Sequence, residues 1–351
     1  MEIVSLLRDL SEVTGISGYE EKVVTIIKKA AGPFIDNLQR DPLGNVVLFK
    51  KGEGSNKRPR VMLAAHMDEI GLMVAKIEPN GFLRFTTIGG IDLRTMPGQE
   101  VIVGGKELIH GVIGSKPPHL QEPEERKKAI TLEELYIDTG YSEEYIKKMV
   151  KIGDTITIQR KLQVLAGNRV AGKALDDRAG VAVLIACLQE LAGLRHQADV
   201  YAVATVQEEV GIRGAIVSTY GIYPDIGIAI DVCHGDMPGV AEDESSPLDQ
   251  GPALGLGPHV HRKIFANLNA TAQKVGIPIQ IDPSPNPRGT DAWGMQIARD
   301  GVPTALVSIP LRYMHTSVET LSIKDLLETS RLLAAFIQKI EPAFVEGLAC
   351  F

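Results

Sequence analysis

The strongest constraint on the fold is a change of texture that occurs twice along the chain. Residues 1 to about 68 alternate helix and strand, with amphipathic helices around Val4–Leu10 and in "YEEKVVTIIKKAAG", then strand-like runs in "NVVLFKK" and "RVMLAAH". From about Glu69 to Ala166 the runs are short and β-like: "GFLRFTTIGG", "QEVIVGG", "LIHGVIGS" and "GDTITIQRKLQVL", divided by Gly and Pro turns. One charged stretch, "EPEERKKAITLEELYIDTGYSEEYIKKMVK", interrupts them and predicts a loop and a helix. From Arg169 the α/β alternation resumes. A long helix follows "ALDDRAG", strands lie in "DVYAVATV", "IGIAIDV" and "TALVSIP", a helix lies near "KIFANLNATAQKVG", and a closing helix starts at Ile323. An α/β domain made of residues 1–68 and 167–351, interrupted by a β-rich insert at 69–166, explains this better than two domains in tandem. The Gly- and Pro-rich stretch Gly235–His261 reads as one long loop.

Size and composition set the outer limits. At 351 residues, 44% hydrophobic and 23% charged, the chain suits a globular protein of one large domain or two ordinary ones. A formal net charge of −7 argues against a nucleic-acid binder, which presents a basic face. No apolar run reaches the roughly 18 residues that span a bilayer, so no membrane partner is expected. The opening "MEIVSLLRDLSEVTG" carries Glu2, Arg8 and Asp9 and reads as an amphipathic helix, not a signal peptide. Cys187, Cys233 and Cys350 are odd in number and far apart, which suits a reducing, cytoplasmic setting better than a disulfide framework.

Chemistry-bearing residues fall at the boundaries of the apolar runs. "VQEEVGIRGA" sets Glu208 beside Glu209 just after "DVYAVAT". Neighbouring strand side chains point to opposite faces, so both carboxylates serve one site only if the strand has ended and is turning into a loop. "AAHMDEIG" puts His66 and Asp68 after an apolar run, where the carboxylate can hold the second ring nitrogen of the histidine. "GKALDDRAG" sets Asp176 and Asp177 where a loop becomes a helix; one suffices as a cap, and Arg178 is placed to neutralise one of them. "IGIAIDVCHG" ends an apolar strand with Asp231, a costly position unless the charge is paired or metal-bound. "LVSIPLRYMHTSVE" places His315 after another strand, with Glu319 four residues on. His259 and His261 have a metal-compatible spacing in the long loop but rank below the strand-end set, while His110 and His119 of the insert read as unconnected with catalysis.

Taken singly, each has an ordinary explanation as a surface pair, a helix cap or a solvated turn. Together they fall along one edge of one α/β layer, where sites form in open sheets. Two histidines with three or four carboxylates make a poor structural zinc site, which favours thiolates. They suit two metal ions about 3.5–4 Å apart that share a bridging carboxylate and a water. The chain has no HExxH, GxSxG or P-loop.

With these residues in hand, the chain resembles the tetrahedral, TET-type aminopeptidases. These are cytosolic dinuclear metallopeptidases, grouped with glutamyl aminopeptidases and proteins once labelled cellulase M. The resemblance runs nearly the whole length, through "SGYEE", "AAHMDEIG", "GGIDLRTMPGQ", "GVIGSKPPHL", "KALDDRAG", "VQEEVGIRGA", "AIDV", "PRGTDAW" and "HTSVE". It implies a zinc-exopeptidase-like α/β fold, a central mixed sheet flanked by helices, with a small inserted β-barrel that makes a dimer contact. It implies one metal on His66 and Asp231, another on Glu209 and His315, and Asp176 as the bridge. Glu208 is then the general base, and Asp68 orients His66. The implied activity removes N-terminal residues from short peptides with two divalent ions, zinc or cobalt ahead of manganese, inside a dodecameric hollow tetrahedron. Arg288 and Asp291 of "PRGTDAW" become candidate substrate contacts or supports behind the metals. Two other readings keep a place: a deacylase or carboxypeptidase on the same metals, and a metal-independent endoglucanase, which would leave both histidines idle. The acidic run Glu242–Asp243–Glu244 reads as a solvated face more than as a selector of basic residues.

Overall fold

The chain begins with α1 (Ile3–Glu12), α2 (Glu21–Ala31), β1 (Asn37–Arg40), β2 (Val46–Lys50) and β3 (Arg60–His66) in the computed structural model, which describes residues 2–54 and 58–349. Cys350 lies outside the described residues. Six strands follow: β4 (Gly71–Ile77), β5 (Leu83–Ile88), β6 (Glu100–Gly104), β7 (Leu108–Ser115), β8 (Leu135–Asp138) and β9 (Thr155–Ile158), with α3 (Glu143–Met149) before the last. Then come β10 (Gln163–Leu165), β11 (Arg169–Gly172), α4 (Leu175–Leu191), β12 (Asp199–Thr205), α5 (Arg213–Ile222) and β13 (Ile226–His234). The remainder holds β14 (Ala253–Leu256), α6 (Arg262–Val275), β15 (Gln280–Pro283), α7 (Asp291–Gln296), β16 (Thr304–Arg312), β17 (Glu319–Ser322), α8 (Ile323–Gln338) and α9 (Pro342–Glu346).

These strands form an 11-stranded mixed sheet, in the order β1-β2-β12-β3-β13-β16-β17-β11-β10 with β14 and β15 attached beside β16, and a closed barrel β4-β5-β8-β7-β6-β9. The mixed sheet flanked by helices and the small barrel implied by the resemblance are thus both present. Their sequences differ for a physical reason. The central strand β3 is buried on both faces, so its side chains are apolar without alternation. Val61, Leu63 and Ala65 join the core under α1, α4 and α8, while Met62 and Ala64 face a second core under α5 and α7. In the barrel, β7 alternates: Ile109 and Ile113 point inward, with Leu108, His110 and Val112 outward. Helix α4 is buried on nearly every side between the sheet and α8, which explains why "AGVAVLIACL" carries no polar stripe.

Register decides where the site falls. β3 runs parallel to both β12 and β13, and β13 runs parallel to β16, so their carboxyl ends share one edge. Thr205 pairs with His66 there, and the β3–β13 ladder stops at Ala64 and Ala229, leaving Asp231 beyond it on the same side.

Several expectations are corrected here. Asp231 does not end its strand: β13 continues to His234, still paired with β16, so the aspartate sits inside a ladder. Arg178 neutralises neither Asp176 nor Asp177. Its guanidinium turns away, donating to the carbonyls of Leu10, Val13, Gly15 and Met67 and to Glu69. The charged stretch contains, besides its helix, the strand β8, which β7 pairs into the barrel. "QVL" leaves the barrel and pairs with β11 at the edge of the large sheet. Gly235–His261 is not one loop, because β14 pairs with β15 and β16.

Candidate metal centre

The loop after β12 answers for the paired glutamates. The strand ends at Thr205, and Gln207 takes a left-handed φ of 57°, so the chain turns before Glu208 and Glu209. Asn45 ties the two ends of the turn: its Oδ1 accepts from Val206 N at 3.0 Å and its Nδ2 donates to Gly214 O at 3.1 Å. Asp68 holds the middle, accepting from the backbone N–H groups of Glu208 at 3.0 Å and Glu209 at 3.2 Å. Both glutamate side chains then line one cavity of about 640 Å³, together with His66, Asp176, Asp231, Arg288 and His315.

Within that cavity Asp176 is central. Its Oδ1 lies 3.1 Å from His66 Nε2, and its Oδ2 lies 3.4 Å from His315 Nε2. His315 Nε2 is also 3.4 Å from Glu209 Oε1. Two triads result, His66–Asp176–Asp231 and Asp176–Glu209–His315, each with donor atoms within 4.8 Å of one another. Asp177, the neighbour, turns back to accept from Gly180 N at 3.0 Å and so supplies the helix cap. Gly180 has to be glycine for this, since a Cβ there would lie 2.3 Å from Asp177 Oδ2.

The Asp68 carboxylate reaches beyond His66. Its Oδ1 is 3.6 Å from His66 Nδ1, whose shorter contact is to the Asp68 carbonyl at 3.2 Å. The same carboxylate accepts from Ser17 Oγ at 2.6 Å as well as from the two glutamate amides. Behind it, Glu69 pairs with Lys173 at 2.5 Å and with Arg178 at 3.1 Å, fully buried. That ion cluster joins the β3 exit to the start of α4, the two segments that carry His66, Asp68 and Asp176.

The charge balance tests whether cations fit. Burial, with Asp231, Asp291 and Glu209 nearby, pushes Glu208 up to about 10. Burial and the adjacent Asp176 push Glu209 up to about 7. Asp231 and Asp177 are likewise raised well above the carboxylate range by burial and by acidic neighbours. The hydrogen bond to Asp176 lifts His315 to about 9. Burial opposes charge on His66, yet the Asp176 and Asp68 hydrogen bonds raise it overall. Burial works against charge on Asp176 too, but hydrogen bonds from His315 and His66 keep it below its ordinary value. A pocket that crowds buried acids until they hold protons lacks positive charge, which divalent cations between the two triads would supply. The donors are all imidazole nitrogen and carboxylate oxygen, suited to zinc, cobalt or manganese.

Of the two expected substrate contacts, Arg288 lines the cavity and pairs with Asp282 at 2.6 Å. Asp291 is 1% exposed, accepts from Thr205 Oγ1 at 2.5 Å and does not line the cavity, though its charge acts on Glu208 and Asp231. Burial lifts its carboxyl to about 6. His259 and His261 join no ligand cluster among the described residues, and His261 Nε2 donates to Leu348 O at 2.9 Å. His110 lies on the outside of the barrel beside Gln159. Glu242–Asp243–Glu244 form an exposed helical turn. Sequence reasoning gave no role to Ser17, Asn45 or Thr205; "SGYEE" carried the first of them without a spacing that tied it to Asp68. It also missed Gly90 of "GGIDLRTMPGQ", which lines the cavity with its Cα close enough to His315 that a Cβ would be 3.1 Å from Nδ1.

The chain is similar along most of its length to known aminopeptidases. A family model for M42 glutamyl aminopeptidases matches residues 44–332. The lysyl aminopeptidase of Pyrococcus furiosus is 38% identical over 346 residues, covering 96% of this chain and 97% of that protein. A TET aminopeptidase from a marine sediment archaeon of the Thaumarchaeota superimposes with a TM-score of 0.93 at 35% identity, covering 99% of each chain. The TET1 peptidase of Pyrococcus horikoshii, described as assembling into a tetrahedron or a large octahedral shell, gives 0.85 at 34% identity over 97% of this chain and 100% of its own. Among the described residues, no helix is long and apolar enough to cross a membrane.

Proposed function

The chain belongs to the M42 glutamyl aminopeptidase family, and from that premise we propose that it is a dinuclear aminopeptidase with Glu208 as its general base, removing N-terminal residues from short peptides. The observation that carries this reading is the placement of Asp176, whose two oxygens face His66 and His315 in separate triads. His66, Asp231 and Asp176 would hold one divalent cation and Glu209, His315 and Asp176 the other, and the cations would supply Lewis acidity and lower the pKa of the attacking water to roughly 7. Glu208 belongs to neither triad and lines the cavity, free to take up that water's proton on its carboxylate and deliver it to the departing amine. In the cation-free chain, burial among acids raises the proton affinity of Glu208; divalent cations in the two triads would oppose that rise and leave a carboxylate able to accept a proton. Asp68 acts through the chain: by gripping the amides of Glu208 and Glu209 it keeps the base and a ligand on one wall.

The family relationship and the buried, uncompensated acids support this reading over a metal-independent endoglucanase. The barrel is proposed as the dimer contact and a dodecamer as the working assembly, on the likeness to the shell-forming TET1 peptidase. The buried free thiols Cys187 and Cys233 suit a cytoplasmic enzyme. The test is a panel of free-amino, amino-blocked and carboxyl-terminal substrates assayed before and after chelation. Cleavage confined to free amino termini and lost on chelation supports the reading. Equal cleavage of blocked substrates favours a deacylase, release of C-terminal residues a carboxypeptidase, and activity untouched by chelation removes the cations from the reaction.

A further inference from the structure

Resting on the two-cation reading above, we propose that Glu319 is a positioning residue, a carboxylate clamp that holds the Asp176 and His315 loops at one fixed separation. Glu319 is 2% exposed and opens β17, with its Cα paired to Gly172 at the end of β11. Its two oxygens are divided between two backbone donors: Oε2 accepts from Asp176 N at 3.1 Å and Oε1 from His315 N at 2.9 Å. Those two residues are the shared carboxylate and the imidazole facing it at 3.4 Å.

The clamp matters because the two triads are anchored differently. His66 ends β3 with Thr205 beside it, and Asp231 lies inside the β13–β16 ladder, so main-chain pairing fixes both. His315 has no such ladder. It lies between β16 and β17 at a left-handed φ of 60°, with its side chain 33% exposed. Asp176 has an extended backbone, φ −78° and ψ 108°, ahead of the regular helix. The β11–β17 ladder stops at Gly172 and Glu319, four residues short of Asp176 and His315, and beyond it the Glu319 carboxylate bridges the two loops. Only a carboxylate offers two acceptors to two N–H donors; an amide in its place turns an NH₂ group against one of them. Aspartate keeps both acceptors but is one methylene shorter.

The experiment titrates cation-free protein with cobalt(II) by equilibrium dialysis, reading the number and affinity of binding steps, alongside kcat and KM after reloading. For Glu319→Gln, one binding step weakens by about 10–100-fold, as for other groups that orient metal ligands, and the other, which shares only Asp176 with the clamp, weakens less. The loss in kcat is recovered at saturating cobalt, and KM for peptide stays near that of the wild type. Two unchanged steps overturn the clamp. Equal weakening of both steps also overturns it, since that marks a general structural role. Glu319→Asp runs in parallel; should the glutamine variant not fold, selective weakening in the aspartate variant supports the clamp and two unchanged steps there overturn it. A wild-type chain that takes up no cobalt overturns the two-cation reading itself, and the clamp with it, whereas failure of the clamp alone leaves two normal wild-type steps.

Discussion

Glu208→Gln isolates the proton-transfer role from everything else the site does. Glutamine has nearly the same shape, and the Glu208 backbone N–H that Asp68 holds is untouched, so the turn after β12 keeps its course. Glu208 belongs to neither donor triad, so cation uptake should match the wild type. What disappears is a carboxylate able to accept and return a proton. General acid–base help contributes about 10²–10⁴-fold, or about 3–5 kcal/mol of barrier at 1.36 kcal/mol per tenfold. kcat on amino-acid nitroanilides should therefore fall by at least about 100-fold, with KM little changed and cation content per chain, measured by emission spectroscopy, unaltered. Turnover within about tenfold of the wild type would contradict the assignment, because no acid–base role of ordinary size leaves so small a trace. Loss of cation in step with activity would make Glu208 a ligand instead.

Other outcomes follow from the same geometry. Chelation should abolish hydrolysis, and zinc, cobalt or manganese should restore it; cation at about 1,000 times its dissociation constant adds about 4 kcal/mol of stability per site, visible as a higher melting temperature, and an unchanged melt would count against binding. In the cation-free chain, Glu209 is raised from 4.5 to about 7, which costs the fold stability as pH climbs through that window. His315 is raised from 6.5 to about 9, so its stabilising contribution is full below 6.5 and is lost as pH climbs through about 9. Both act in one direction: cation-free protein should melt progressively lower from about pH 5 to pH 9, with the trend flattened by added zinc, and a rising melt would refute it. Arg178→Met strips a fully buried cation from Glu69 and four carbonyls, and should cost about 3–5 kcal/mol. An unchanged melting temperature for that variant would show the buried ion cluster to be dispensable.

How far the sequence foretold this depends on what each signal measures. Apolar runs such as "VMLAA" and "IGIAI" marked central strands because burial on both faces leaves no room for polar residues. The residues around them became legible as a group because parallel strands bring their carboxyl ends to one edge. Elements stabilised mainly by partners were not legible. β8, four residues inside a charged stretch, exists because β7 supplies its hydrogen bonds, and β14 because β15 and β16 do. Asp231 was misplaced at a strand end because the ladder continues on β16 after β3 has left it. Arg178 was misdirected because sequence adjacency to two aspartates says nothing of side-chain direction, which carbonyls from α1 and its exit loop decide. The supports Ser17, Asn45 and Glu319 act from 51, 161 and 143 residues away from their partners, a separation no local pattern encodes.

Asp176 is proposed to stand between two divalent cations, and anomalous diffraction from crystals grown with zinc would locate them. Two peaks about 3.5–4 Å apart are expected, one beside His66 and Asp231 and the other beside Glu209 and His315. A single peak, or peaks that leave Asp176 uncoordinated, would contradict that placement.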